Sequence, residues 1–196
     1  MVITTIEKNE SKFLDIFTLP VKSLFTSLNA LILDVFQSKC FIKECENVQG
    51  ETACLFAFRK DKYLWWFSIG DCLLLLRQPE LERLGEYQQN HRNFYEWVGK
   101  ESTFNKEVPC YSSGVKELRT GENHIFMTTD GLVECPNTSY SNPKNIFRMF
   151  QGVVTNVNGV MKLLDDIQLK NGRDSTTIIS WIIPNDQVAT IPSDLK

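Results

Sequence analysis

Three aspartates stand where an apolar run breaks: Asp71 in Ser68-Ile69-Gly70-Asp71-Cys72, Asp130 in Thr128-Thr129-Asp130-Gly131-Leu132, and Asp174 in Gly172-Arg173-Asp174-Ser175. A carboxylate at the end of a buried strand has a rigid support, and a glycine beside it lets backbone or ligand come close. Carboxylates gathered this way by a sheet could bind Mg²⁺ or Mn²⁺, hard cations that take oxygen ligands and keep several waters. Water on such an ion is a nucleophile near neutral pH, and a pair of ions can hold a phosphoryl group while it is attacked. Against this, Asp is common in turns for conformational reasons alone. Turn geometry accounts for Asp71, a Gly-Asp corner between two strands. For Asp130 and Asp174 both readings stand.

Other chemistry is poorly supplied. There is no Gly-x-Ser-x-Gly elbow and no Gly-x-x-x-x-Gly-Lys loop. The two histidines, His91 and His124, have no motif partner; His124 lies in a strand and reads as packed, His91 in a polar stretch and reads as exposed. No catalytic nucleophile or base is identified. The six cysteines, at 40, 45, 54, 72, 110 and 135, are irregularly spaced with no Cys-x-x-Cys, which supports neither a zinc site nor a disulfide framework. They read as reduced thiols of a cytoplasmic protein, with Cys54 and Cys72 as small buried hydrophobes.

The elements that must position the aspartates follow from periodicity. Residues 1–10 read as polar and weakly ordered. Phe13, Leu14, Ile16 and Phe17 give a short apolar face that ends at Pro20. Over 21–39, Val21, Leu24, Phe25, Leu28, Leu31, Ile32, Val35 and Phe36 recur at helical spacing and form a stripe that the rest of the fold must cover. Residues 52–58 and 63–69 read as a hairpin with a turn at 59–62. After the Gly70-Asp71 break, 72–77 reads as a third strand, completing an antiparallel meander packed by the helix. Residues 78–80 read as a turn. The stretch from 85 to 122 is polar, aromatic and irregular; 87–100 reads as part helix and part loop, a short strand falls within 108–118, and the whole is the segment best suited to move over a site. The run 123–129 is a buried strand ending at Asp130-Gly131. Helices follow at 143–150, opened by Asn142-Pro143, and at 157–169. A last strand covers 175–183, and 184–196 reads as a loose tail. One domain spans 1–196, with its core at about 11–183.

With 196 residues the chain can bury a substantial core. Its 42% apolar and 23% charged residues are ordinary for a soluble domain. A net charge of −3 without a basic run argues against nucleic acid as a partner. The N-terminal MVITTIEKNE has no signal-peptide pattern, and no apolar run approaches the roughly 20 residues of a membrane span.

In order, the pieces resemble the metal-dependent serine/threonine protein phosphatases of type 2C, the PPM-type domain. Gly50-Glu51-Thr52-Ala53 resembles that family's Gly-Ser/Thr-Thr-Ala/Thr strand start, and Ser68-Ile69-Gly70-Asp71-Cys72 its Val-Gly-Asp-Ser-Arg corner. Thr128-Thr129-Asp130-Gly131-Leu132-Val133-Glu134 resembles its Ser-Asp-Gly-Leu-x-Asp/Glu segment, and Gly172-Arg173-Asp174-Ser175-Thr176-Thr177 its closing Asp-Asn-Ile/Ala-Thr. The resemblance covers roughly 20–183 and implies an α+β fold, a four-layer α/β-β/α sandwich of two antiparallel sheets flanked by helices. It implies Asp130 and Asp174 as metal ligands, Asp71 as a mainly structural corner, a two-metal Mg²⁺ or Mn²⁺ site, and a phosphoprotein substrate attacked by metal-activated water.

Departures accompany the match. The family's early Asp-Gly-His/Met-Gly-Gly segment, whose aspartate bridges both metals, has no counterpart, and neither has the arginine some members use to hold phosphate. On this comparison the chain begins just downstream of that segment, truncated and short of the sandwich's first strands, so that exposed sheet edges invite oligomers. Ser175 stands for the family's Asn and Cys72 for its Ser. Two functions follow as expectations: a phosphatase-like hydrolase with an incomplete metal site, and a catalytically inactive phosphatase-fold binding or regulatory module.

Overall fold

Strand Tyr63–Ile69 is apolar on both faces, because Tyr63, Trp65, Phe67 and Ile69 alternate with Leu64 and Trp66. Both faces therefore need cover, and the layering follows. The structure, a computed structural model, describes residues 1–191. Four helices come first: α1 (Val2–Lys8), α2 (Glu10–Thr18), α3 (Val21–Phe36) and α4 (Lys39–Glu46). Strands β1 (Glu51–Thr52), β2 (Cys54–Lys60), β3 (Tyr63–Ile69) and β4 (Leu73–Arg77) follow, then α5 (Pro79–Arg83) and β5 (Val98–Gly99). A 3₁₀ turn at Thr103–Asn105 leads to β6 (Ser112–Glu117), β7 (Gly121–Thr128), α6 (Asp130–Val133), α7 (Pro143–Arg148), α8 (Asn156–Leu169) and β8 (Ile178–Asn185).

Two three-stranded antiparallel sheets result, in the orders β2-β3-β6 and β4-β7-β8, with β1 and β5 as a small separate pair. Trp65, Phe67 and Ile69 face the α3 stripe of Leu24, Leu28, Ile32 and Phe36. Leu64 and Trp66 meet Leu74, Leu76 and Ile125 between the sheets. Leu73, Leu75 and Phe126 face Leu132, Ile146, Phe147, Leu163 and Ile167 on the far side. The order is helix, sheet, sheet, helix, the four-layer α+β sandwich with two antiparallel sheets inside.

Several expectations are corrected. Residues 1–10 are not weakly ordered: α1 forms there, Met1, Val2 and Ile6 pack on the first core, and Lys8 pairs with Glu44 at 2.8 Å. The turn at 78–80 opens α5, with the Gln78 side chain accepting from the Glu80 N–H at 2.6 Å. Helix α4 was not foreseen; the Ser38 hydroxyl caps it, accepting from the Phe41 N–H at 3.2 Å. The meander does not form. β3 takes β6 as its second neighbour, and β4 crosses to the other sheet to pair with β7. The crossing turns on Gly70, at φ +85, where a Cβ would lie 2.6 Å from that of Ala53. Nor is the tail after 183 wholly loose. β8 runs to Asn185, and the carboxylate of Glu117 accepts from the Thr190 N–H at 2.8 Å and the Ile191 N–H at 2.7 Å. Residues 192–196 lie outside the described residues.

The second helical layer agrees with its sequence signals. Asn142 caps α7 by accepting from the Lys144 N–H at 3.1 Å, with Pro143 in the first turn, and Thr155 caps α8 in a reciprocal capping box. Among the described residues no helix is long and apolar enough to cross a membrane. All six cysteines are free, and Cys54 is buried while Cys72 is only partly so.

Candidate functional site

The register of β4 on β7 assembles the site. Leu73 stands opposite Thr128. Antiparallel pairing therefore lays the residues before β4, Asp71 and Cys72, beside those after β7, Thr129 and Asp130. On the other side of β7, Thr128 stands opposite Ile178, and the pairing continues irregularly one step further. The Thr129 N–H donates to the Thr177 carbonyl at 3.2 Å, the Thr129 hydroxyl donates to the Ser175 carbonyl at 3.2 Å and accepts from the Thr177 N–H at 3.0 Å. The segment 175–177, expected in the last strand, is held by Thr129 instead.

Gly131 closes this arrangement. A Cβ there would lie 2.8 Å from the Ser175 carbonyl oxygen, 2.9 Å from Thr176 Oγ1 and 3.1 Å from the Asp174 carbonyl oxygen. Only glycine lets the Asp130 turn sit on the 174–176 backbone this closely. The expected Asp-Gly turn is the first turn of α6, with Asp130 half-buried and Asp174 exposed. The structure thus brings the two predicted ligands' turns into backbone contact. Among the described residues neither carboxylate has a hydrogen-bond or ion-pair partner. A 470 Å³ cavity opens beside them, with Gly131, Glu134, Lys170, Arg173 and Asp174 in its lining.

Asp71 belongs to the same neighbourhood. Burial pushes its carboxyl above the usual range, the negative charge of Asp130 adds to this and that of Glu134 a little more, while Arg92 pulls the other way. Burial, then the charges of Asp71 and Asp130, push the Cys72 thiol up to about 11. The corner is anchored by buried Asn90, whose carboxamide accepts from the Leu74 N–H at 2.8 Å and donates to Ser68 Oγ at 3.0 Å and the Cys72 carbonyl at 2.8 Å.

Arg92 was missed in the sequence. Its Nε donates to the Asp71 carbonyl at 2.9 Å, an amino group pairs with Glu134 at 3.2 Å, and the guanidinium carbon lies 4.6 Å from the centre of the Phe94 ring. Nothing but an arginine among aromatics marked it, because its partners are 21 and 42 residues away. His124 is packed as expected, edge-on to Phe147 and Phe150, with Nε2 2.7 Å from Ser180 Oγ; burial lowers its pKa to about 4. His91 is exposed. Among the described residues no three His, Cys, Asp or Glu side chains group as a metal cluster.

No protein-family model matches the chain, and no curated protein matches it in sequence. Solved structures do match. PstP/Ppp, the serine/threonine phosphatase of Mycobacterium tuberculosis, superposes with a TM-score of 0.64 at 14% identity, over 92% of this chain and 80% of that one. The fold is that of the bacterial serine/threonine phosphatases. PppA, described as a key regulatory component of T6SS in Pseudomonas aeruginosa, matches this phosphatase-fold chain at a TM-score of 0.60 and 12% identity, over 88% of this chain and 78% of its own. The PstP catalytic domain in complex with two manganese ions matches at 0.57 and 14% identity, over 92% and 80%. The type 2C resemblance carried by four short motifs is therefore a likeness of the fold that extends over most of the length of these phosphatase structures.

Proposed function

We propose that this chain is a phosphoprotein phosphatase-like hydrolase in which Asp130 and Asp174 hold a divalent cation, Mg²⁺ or Mn²⁺. The supporting observation is the seating of Gly131 on the 174–176 backbone with both neighbouring carboxylates unpaired among the described residues. Mg²⁺ is commonly bound through one or two carboxylates plus water and substrate phosphate, so two such groups fit one ion. They do not fit a second, since the described residues group no third donor with them. When bound, the ion supplies Lewis acidity and an acidified water. The chain's residues do the rest: Thr129 and Gly131 set the distance between the acidic turns, and Lys170 and Arg173 line the cavity beside them and offer positive charge to a phosphorylated segment.

A second reading, a catalytically inactive binding or regulatory module, is favoured by the missing third donor and by the guanidinium seated in the acidic corner. Hydrolysis of an aryl phosphate with Mn²⁺ or Mg²⁺, with and without chelator, separates the two. The hydrolase reading expects slow, chelator-sensitive turnover that needs millimolar metal and is lost in both Asp130→Asn and Asp174→Asn. No turnover by well-folded protein would select the module.

A further inference from the structure

We propose that Arg92 is the resident cation of the acidic corner and sets how tightly a divalent ion binds beside it. The inference rests on the cation reading above and concerns its regulation. The β4–β7 register lays Asp71 beside Asp130, and Arg92 spans from the Asp71 carbonyl to the Glu134 carboxylate, so its positive charge acts on a corner that holds the carboxylates of Asp71, Asp130 and Glu134. Its guanidinium is held by the Asp71 carbonyl, the Glu134 carboxylate and the Phe94 ring, so it cannot swing aside without losing all three. A fixed positive charge repels an incoming divalent ion, and Glu134, which pairs with Arg92, lines the same cavity as Asp174.

Two plainer roles are less well supported. Arg92 is not needed as a tether, because its loop is already fastened by the three hydrogen bonds of Asn90, by the Asn93 N–H to the Gly70 carbonyl at 2.7 Å, and by the His91 N–H to Ser112 Oγ at 3.1 Å. Nor is it well placed as a phosphate handle, because one guanidinium among three carboxylates leaves the corner negative.

The test is Mn²⁺ affinity, read from the electron paramagnetic resonance signal of free Mn²⁺, with thermal unfolding of each metal-free variant alongside. Arg92→Gln should bind Mn²⁺ roughly tenfold tighter than wild type, as expected for removing one nearby positive charge. Arg92→Lys keeps the charge and should stay close to wild type. A merely structural arginine would lower stability in both variants and tighten binding in neither. Should Arg92→Gln fail to fold, Arg92→Met keeps the stem against Phe94 and repeats the measurement. Equal affinity in wild type and Arg92→Gln, with binding lost in Asp174→Asn, would overturn the inference and leave the cation reading standing. If neither protein binds Mn²⁺, the cation reading falls and the inference with it.

Discussion

The layer of α1–α4 and the corner at Asp71, Asp130 and Asp174 make their closest contacts from opposite materials. In the helical layer the contacts are rings. Phe36 is fully buried, stacks on Phe41 at 4.7 Å between centroids and meets Phe104 edge-on at 5.2 Å. In the corner the close contacts fall on glycines, Gly131 against the 174–176 backbone and Gly70 against Ala53, and among the described residues the carboxylates of Asp130 and Asp174 have no protein partner. The first arrangement removes apolar surface from water and uses up every contact it makes. The second positions charge at a cost to local packing and leaves it available. Substitutions in the two regions should therefore separate stability from cation binding.

The largest expected effect is in the helical layer. Phe36→Ala leaves a cavity under three other rings and should lower unfolding free energy by about 3–5 kcal/mol. Denaturant titration measures this. The fraction still folded should bind Mn²⁺ with wild-type affinity, because the ring lies in a different layer from the carboxylates. A parallel fall in affinity would mean that the two regions are coupled.

Gly131→Ala is the converse experiment. The added methyl would meet the Ser175 carbonyl oxygen at 2.8 Å, a backbone atom that can yield only by moving the 174–176 segment. Overpacking of this sort costs about 1–3 kcal/mol, less than the ring deletion. The cation effect should be larger: the two acidic turns separate, and Mn²⁺ affinity should fall by about tenfold or more. If Mn²⁺ binding survives while stability drops, Asp130 and Asp174 do not act together.

The same contrast explains what could be read from residue types. Helix α3 was legible because its apolar positions repeat at helical spacing, and β3 because five of the seven residues of Tyr63–Ile69 are aromatic or β-branched. The cap at Asn142 was legible because Pro143 follows it. The partner of β4 was not, since Leu73, Leu74, Leu75 and Leu76 are all buried and show no alternation from which a face could be read. From that one ambiguity the rest follows. Asp71 was assigned to turn geometry because its approach to Asp130 depends on the β4–β7 register. Arg92 went unseen because its contacts exist only once that register has formed. Thus two of the acidic positions could be proposed from motifs, while the charge balance around them is a product of tertiary pairing.

The smallest effect sharpens the comparison through pH. His124 lies on β7, buried against Phe147 and Phe150 of the second helical layer, and burial lowers its pKa from 6.5 to about 4. The unfolded chain therefore takes up a proton near pH 6.5 that the folded chain refuses until about pH 4. Stability from this group is complete above the unfolded value and is lost as pH falls towards the folded one. Between neutral pH and about pH 5.5 the loss should be about 1–2 kcal/mol, measurable by denaturant titration across that range. In His124→Gln, which keeps a polar group towards Ser180 but cannot titrate, the slope between those pH values should flatten. A slope unchanged in that variant would place the titrating group elsewhere. The packed histidine would then be electrostatically silent, and the division between a sealed core and a charge-bearing corner would need another basis.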